Sequence, residues 1–339
     1  MRFADIVGQE RPIRVLQQAM RTGKLAHAFL FAGAPGVGKM STARAFAAAL
    51  NCQNRGEDAC GVCPSCHKMA KGAHPDYREI AREDERTGIV IDQVRAVIKS
   101  AQHRPYESRY QVFLIDQAET MTTEAANALL KTLEEPTADN VFVLVTPAPH
   151  QLLPTVVSRC QMLRFGRVPE EDVRRWLHER QELSDEDAAL VAALAEGSIG
   201  RAEHMPVEFL KTTRLDLFTQ LAEATDDSPT QALALGVKLR EAGDDLRDAL
   251  ELLAGFVRDT VVWQTSGDAR RVRHRDAAPL IERYAAKHQT RDLLGKIRAL
   301  VYARRLVERN VSRDAIVDGL CLELLAEGPT TFARGRLPR

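Results

Sequence analysis

The octapeptide Gly33-Ala34-Pro35-Gly36-Val37-Gly38-Lys39-Met40 follows directly on the apolar run 26–32, and it restricts the fold more than any other stretch of this chain. Glycines let backbone amides turn toward an anion, and a helix beginning behind them adds its positive end. An apolar run of this length reads as a strand buried on both faces, which puts the loop at the end of a parallel-sheet strand. The segment fits G-x-x-x-x-G-K but departs at the next position, where Ser or Thr ordinarily ligates Mg²⁺. Met40 cannot do so, because a thioether is a poor ligand for a hard cation. Ser41 is no substitute, since one step along a helix rotates a side chain by roughly 100°. Gly33, Gly36, Gly38 and Lys39 are therefore phosphate-binding candidates in a loop suited to ATP or ADP and ill suited to Mg²⁺-dependent turnover.

Two further apolar runs, 112–115 and 141–145, alternate with helical patterns over 42–50, 91–102 and 123–133. Strands alternating with helices imply an α/β domain with a parallel sheet, ending near Phe165. The strand at 112–115 delivers Asp116 at its end, where a carboxylate holds Mg²⁺ through water in phosphoryl-transfer sites. The next residue, Gln117, stands where a glutamate base is wanted; an amide orients water but takes no proton. Glu119 is expected to lie off the site.

From Val168 onward the sequence offers no convincing strand. Pro169-Glu170-Glu171 opens a helix, Ser184 is an N-cap with acids behind it, and Gly197 suits a C-cap. Beyond Met205 apolar stripes such as Leu246, Leu250, Leu253 and Val257 continue the helical pattern. The expected boundaries are 1–166 for the α/β domain, 167–205 for a small helical domain, 206–327 for a second helical domain, and 328–339 for a basic flexible tail.

Four of the six cysteines, Cys52, Cys60, Cys63 and Cys66, crowd one segment at about 51–70. Four soft thiolates at this spacing make the ligand set of a tetrahedral structural Zn²⁺, with no open position for catalysis. The insertion follows the helix after the glycine loop and is expected to stand off the sheet as a knob. Cys160 and Cys321 read as packing residues. Lys+Arg and Asp+Glu both number 47, so no global field draws the chain to nucleic acid or membrane. Lys99 and Arg104 read first as parts of solvated faces. No apolar run approaches the ~18 residues of a membrane helix, and the start resembles no signal peptide, so a cytoplasmic location without membrane partners is expected.

Several of these segments together resemble the bacterial clamp-loader AAA+ family over nearly the whole chain. They are Phe3-Ala4-Asp5-Ile6-Val7-Gly8-Gln9, the cysteine spacing, Asn127-Ala128-Leu129-Leu130-Lys131-Thr132-Leu133-Glu134-Glu135-Pro136, and Ser158-Arg159-Cys160. The resemblance implies a RecA-like P-loop domain with a zinc module, a helical lid and an all-α collar that oligomerises. It implies that Val7 borders the adenine, that Thr146 occupies the sensor-1 position, and that Arg159 reaches the ATP of a neighbouring subunit in trans. It also implies gamma/tau and delta subunits as partners, with the sliding clamp and primed DNA met through the complex.

The departures matter as much as the matches. The hydrolysing tau and gamma members carry Ser or Thr at Met40, Glu at Gln117, and an arginine where Gly200 follows Gly197-Ser198-Ile199; Arg201 comes one residue late. These departures, and a chain that stops soon after one helical domain, resemble the family's non-hydrolysing delta-prime stator branch. The alternative reading is a self-sufficient gamma/tau-like ATPase motor. A zinc-dependent nucleic-acid-binding module is disfavoured by the neutral charge and the aromatic-poor cysteine loop.

Overall fold

The computed structural model describes residues 2–83, 88–137, 139–223, 229–309 and 311–325; the tail expected at 328–339 lies outside them. The chain divides into two units, Met1–Met205 and Pro206–Arg339.

The first unit is built on a five-stranded sheet of β1 (Ala28–Ala32), β2 (Tyr77–Ile80), β3 (Gln111–Ile115), β4 (Asn140–Thr146) and β5 (Gln161–Arg164), in the order β2-β3-β4-β1-β5. Every pairing is parallel. Nine helices accompany it among the described residues: α1 (Glu10–Thr22), α2 (Lys39–Leu50), α3 (Pro64–Ala70), α4 (Ile91–Ala101), α5 (Thr123–Glu134), α6 (Pro154–Val157), α7 (Glu170–Gln181), α8 (Asp185–Ala195) and α9 (Ile199–Glu203).

The alternation of strand residues explains the layering. Phe29, Phe31, Val112, Leu114, Val141, Val143 and Val145 share one core with Leu16 of α1 and Ala43, Phe46 and Ala47 of α2. Ala28, Leu30, Phe113, Ile115, Phe142 and Leu144 face the other way, into a core with Val94 and Val97 of α4 and Leu129 and Leu133 of α5. β1, β3 and β4 are buried along their whole length, which is why they read as continuous apolar runs. The order and the loop at the end of β1 make this a RecA-like P-loop sheet.

Three expectations need correcting. β2 and β5 were not anticipated; they are four-residue edge strands whose outward residues are exposed, so no apolar run announces them. The helix after the glycine loop begins at Lys39 rather than Thr42, because Thr42 N–H already closes a helical bond on Gly38 C=O at 2.9 Å. Nor does the cysteine segment stand off the sheet: Cys52, Cys63 and Cys66 are buried in the core beside α1 and α2.

The second unit is helical throughout its described residues: α10 (Val207–Thr212), α11 (Arg214–Glu223), α12 (Pro229–Glu241), α13 (Leu246–Ser266), α14 (Ala278–Lys287), α15 (Thr290–Glu308) and α16 (Arg313–Leu325). Its core holds a polar cluster. The fully buried Asp259 carboxylate accepts the N–H groups of Arg273 and His274 at 2.8 and 2.9 Å and lies 2.9 Å from His274 Nδ1. The His274 ring sits edge-on to Phe218. No described helix is long and apolar enough to cross a membrane.

Candidate functional site

The phosphate loop leaves β1 at Gly33, and its geometry depends on glycine at two points. A Cβ on Gly33 would come 2.5 Å from Phe165 O, and Gly36, at φ +70°, leaves no room beside Ser198 Oγ, 2.2 Å from where its Cβ would be. Lys39, almost wholly buried, donates to Gly33 O at 2.7 Å and to Ala34 O at 2.6 Å. Burial lowers its pKa, opposed by the charges of Asp116 and Glu119. Met40 packs against the core of α2 and β1. The loop thus keeps the glycines and lysine that would meet phosphate, while the Mg²⁺ ligand position is an apolar packing residue; the residues present do not fit Mg²⁺.

Helical elements close over the loop from the lid side. Ser198 caps α9, accepting Arg201 N–H at 3.1 Å, and donates to Pro35 O at 3.1 Å. Gly200 N–H donates to Gly36 O at 2.9 Å. Gln9 Nε2 bridges Val37 O and Gly166 O at 3.0 and 2.8 Å. Arg201 Nη1 lies 3.4 Å from Glu196, and Arg167 Nη1 reaches the same carboxylate at 2.6 Å. Beside the loop a cavity of about 710 Å³ is lined by Asp5, Ile6, Val7, Gly38, Trp176 and Arg180, among others. Val7 thus lines a cavity that it shares with Gly38 of the loop.

At the end of β3, Asp116 accepts the N–H of Gln117 at 2.9 Å. Gln117 adopts φ +50°, a left-handed conformation rare outside glycine, and turns the chain back on itself. The turn brings Glu119 into the site: Thr146 Oγ1 donates to Glu119 Oε2 at 2.8 Å and accepts Ala148 N–H at 3.0 Å. The expectation that Glu119 lies off the site is wrong, because the reversal at Gln117 is set by backbone conformation and not by residue spacing. Thr146, fully buried at the end of β4, spends its hydroxyl proton on that carboxylate.

Arg159 lies beyond α6, on the way into β5. Its Nη1 donates to Thr155 O at 2.9 Å, and its Nη2 pairs with the Glu134 carboxylate at the end of α5. The guanidinium remains partly exposed.

The four cysteine sulfurs converge, all within 4.8 Å of one another. The Cys60 and Cys66 sulfurs are 3.9 Å apart, against an edge of ~3.8 Å for a tetrahedron with Zn–S near 2.3 Å. The backbone N–H groups of Cys60, Cys63 and Cys66 donate to Cys52, Cys60 and Cys63 sulfurs, each at 3.4 Å. Amide donation from Val62 and Cys63 pulls the Cys60 thiol down to about 6, while burial pushes Cys66 up to about 12. A dication would relieve that conflict by stabilising every thiolate, so the residues fit a structural metal. Asp58 ties the module to the N-terminus, accepting Phe3 N–H at 2.8 Å and Ala4 N–H at 3.1 Å. That tie, invisible in the spacing, links the cysteine module to the segment that lines the cavity.

Residues 8–169 match the family described as "DNA polymerase III, delta subunit", and residues 209–323 match "DNA polymerase III, delta subunit, C terminal". The chain is 31% identical over 288 residues to DNA polymerase III subunit tau of Bacillus subtilis, covering 78% of this chain and 51% of that protein. It is 34% identical over 262 residues to subunit tau of Escherichia coli, covering 75% of this chain and 38% of that protein. Among solved structures, a DNA polymerase III gamma subunit-related protein from Thermotoga maritima aligns at 18% identity and a TM-score of 0.44, over 92% of this chain and 98% of that one. The chain spans about half or less of the length of the two tau subunits.

Proposed function

The chain belongs to the family of DNA polymerase III clamp-loader subunits, and we propose that within it the chain is a delta-prime-like stator that does not itself hydrolyse ATP. In this reading it sits in a ring with gamma/tau and delta subunits. It donates Arg159 to the ATP of the adjacent subunit while the complex places a sliding clamp on primed DNA. The zinc held by Cys52, Cys60, Cys63 and Cys66 is structural, and the helices beyond Met205 form the collar. Any ATP or ADP at the glycine loop binds without productive Mg²⁺.

One observation carries the choice of stator over motor: at the position where the Mg²⁺ hydroxyl belongs stands Met40, a partly buried thioether that packs against the core. Gln117 in place of a general base, and a loop engaged by Ser198 and Gly200, agree with it. The names of the curated relatives favour the rival reading, a tau-like ATPase. Those names describe whole proteins of which this chain spans only about half or less, and the rival leaves Met40 and Gln117 without an explanation.

A guanidinium stabilises charge building on a transferred phosphoryl group, an effect of ~10³–10⁵ in rate at other fingers. Arg159→Ala should therefore enter the complex normally, lower its total ATPase partially, and slow clamp loading more strongly. Arg159→Lys should recover little, since an ammonium lacks the planar fork. A mutant complex that assembles and loads clamps at the wild-type rate would remove Arg159 from the mechanism.

A further inference from the structure

The surroundings of Arg159 contain a residue that the finger reading does not use. Glu134 ends α5, and its carboxylate takes Nη2 of the guanidinium. Thr155 O takes Nη1 at 2.9 Å, and Ser158 Oγ lies 3.4 Å from the same nitrogen. A guanidinium carries five N–H bonds. These contacts leave the Nε–H and a second Nη2–H without a partner among the described residues.

We infer that Glu134 is the positioning residue for Arg159, pinning part of the guanidinium so that its remaining donors are presented to a neighbour's phosphate. The inference rests on the reading of Arg159 as a trans-acting finger. An unpinned arginine at the surface samples many rotamers, and that freedom is lost at the moment of reaction. Pinning it beforehand moves the loss to folding, the general advantage of preorganised charge. The anchors also suit the purpose. Thr155 O belongs to the four-residue α6, whereas Glu134 is fixed by α5, whose Leu129 and Leu133 are fully buried. Glu134 is the contact that refers the finger to the rigid core. The pair is half exposed, so the opposing charge of Glu134 is screened and costs the finger little of its attraction for phosphate.

The test uses the complete chain reconstituted with its partner subunits, and reads the rate of clamp loading and its dependence on ATP concentration. Glu134→Ala should lower the maximal rate about fivefold, within the range for coupled neighbours, and leave KM for ATP nearly unchanged. Glu134→Gln keeps an acceptor at the same reach and should recover most of the loss. Glu134→Asp, shorter by one methylene, should fall between. In an Arg159→Ala background Glu134→Ala should add nothing.

Three results would overturn the inference while leaving the finger in place. They are a wild-type rate for Glu134→Ala beside an impaired Arg159→Ala, faster loading by both the Ala and Gln variants, or an undiminished Glu134 effect in the double mutant. Should Glu134→Ala fail to enter the complex, the Gln and Asp variants carry the comparison: equal rates for both, at the wild-type level, would overturn it. An Arg159→Ala complex with full activity would instead sink the finger reading itself.

Discussion

Replacing Gly36 by Ala tests whether the lid is fastened to the phosphate loop as the geometry indicates. The new Cβ would lie 2.2 Å from Ser198 Oγ, and Gly36 sits at φ +70°. The left-handed conformation costs a non-glycine residue about 1–2 kcal/mol. Ser198 would have to withdraw, giving up the cap it provides to Arg201 N–H and its bond to Pro35 O, together about 2 kcal/mol. The first unit should therefore lose about 3–4 kcal/mol in all. Gly23→Ala is the matched control: Gly23 has φ +67° with nothing within 4 Å of its Cβ position, so only the backbone cost of about 1–2 kcal/mol applies.

The assay is urea unfolding followed by Trp176 fluorescence in a Trp263→Phe background, which leaves the lid tryptophan as sole reporter of the two. Relative to Gly23→Ala, the Gly36→Ala midpoint should be lower by about 1 M urea, taking an m-value of about 2 kcal/mol/M. Equal midpoints for the two variants would refute the claim that Ser198 fastens the lid to the loop.

Protein purified under reducing conditions should carry one zinc per chain by elemental analysis, and Cys66→Ser should lose the metal along with local order; metal-free wild-type protein would contradict this. The second unit should lose stability as pH falls from 7 to 5. Burial holds His274 below its ordinary value of 6.5, with Asp259 opposing, so the unfolded chain takes up a proton near 6.5 that the folded one refuses. The contribution is intact above 6.5 and shrinks as pH falls toward the lowered folded value. In His274→Gln, thermal melts should depend less on pH over that range, and an unchanged dependence would exclude His274.

What the sequence made legible follows from burial. β1, β3 and β4 lie inside the sheet, so both faces are apolar and each reads as an unbroken run. Tyr77–Ile80 and Gln161–Arg164 are edges, where one neighbour and partial exposure permit Arg, Glu and Gln, and the signal vanishes. The glycine loop and the cysteine quartet were legible because their chemistry demands particular residues at particular spacings. What those residues do in space was less so. Glu119 reaches Thr146 only because Gln117 takes a left-handed turn, and the pairing of Arg159 with Glu134 joins residues 25 apart in sequence. The embedding of the cysteine segment likewise depends on long-range contacts, such as Asp58 with Phe3 and Ala4.

The stator reading stands or falls most directly on steady-state ATP turnover by the purified, isolated chain. With Met40 at the Mg²⁺ position and Gln117 in place of a base, the rate should be negligible against the ordinary enzyme range of ~1–10³ s⁻¹, and unchanged by Lys39→Ala. Turnover at ~1 s⁻¹ or faster that Lys39→Ala abolishes would make this chain a motor and contradict the reading.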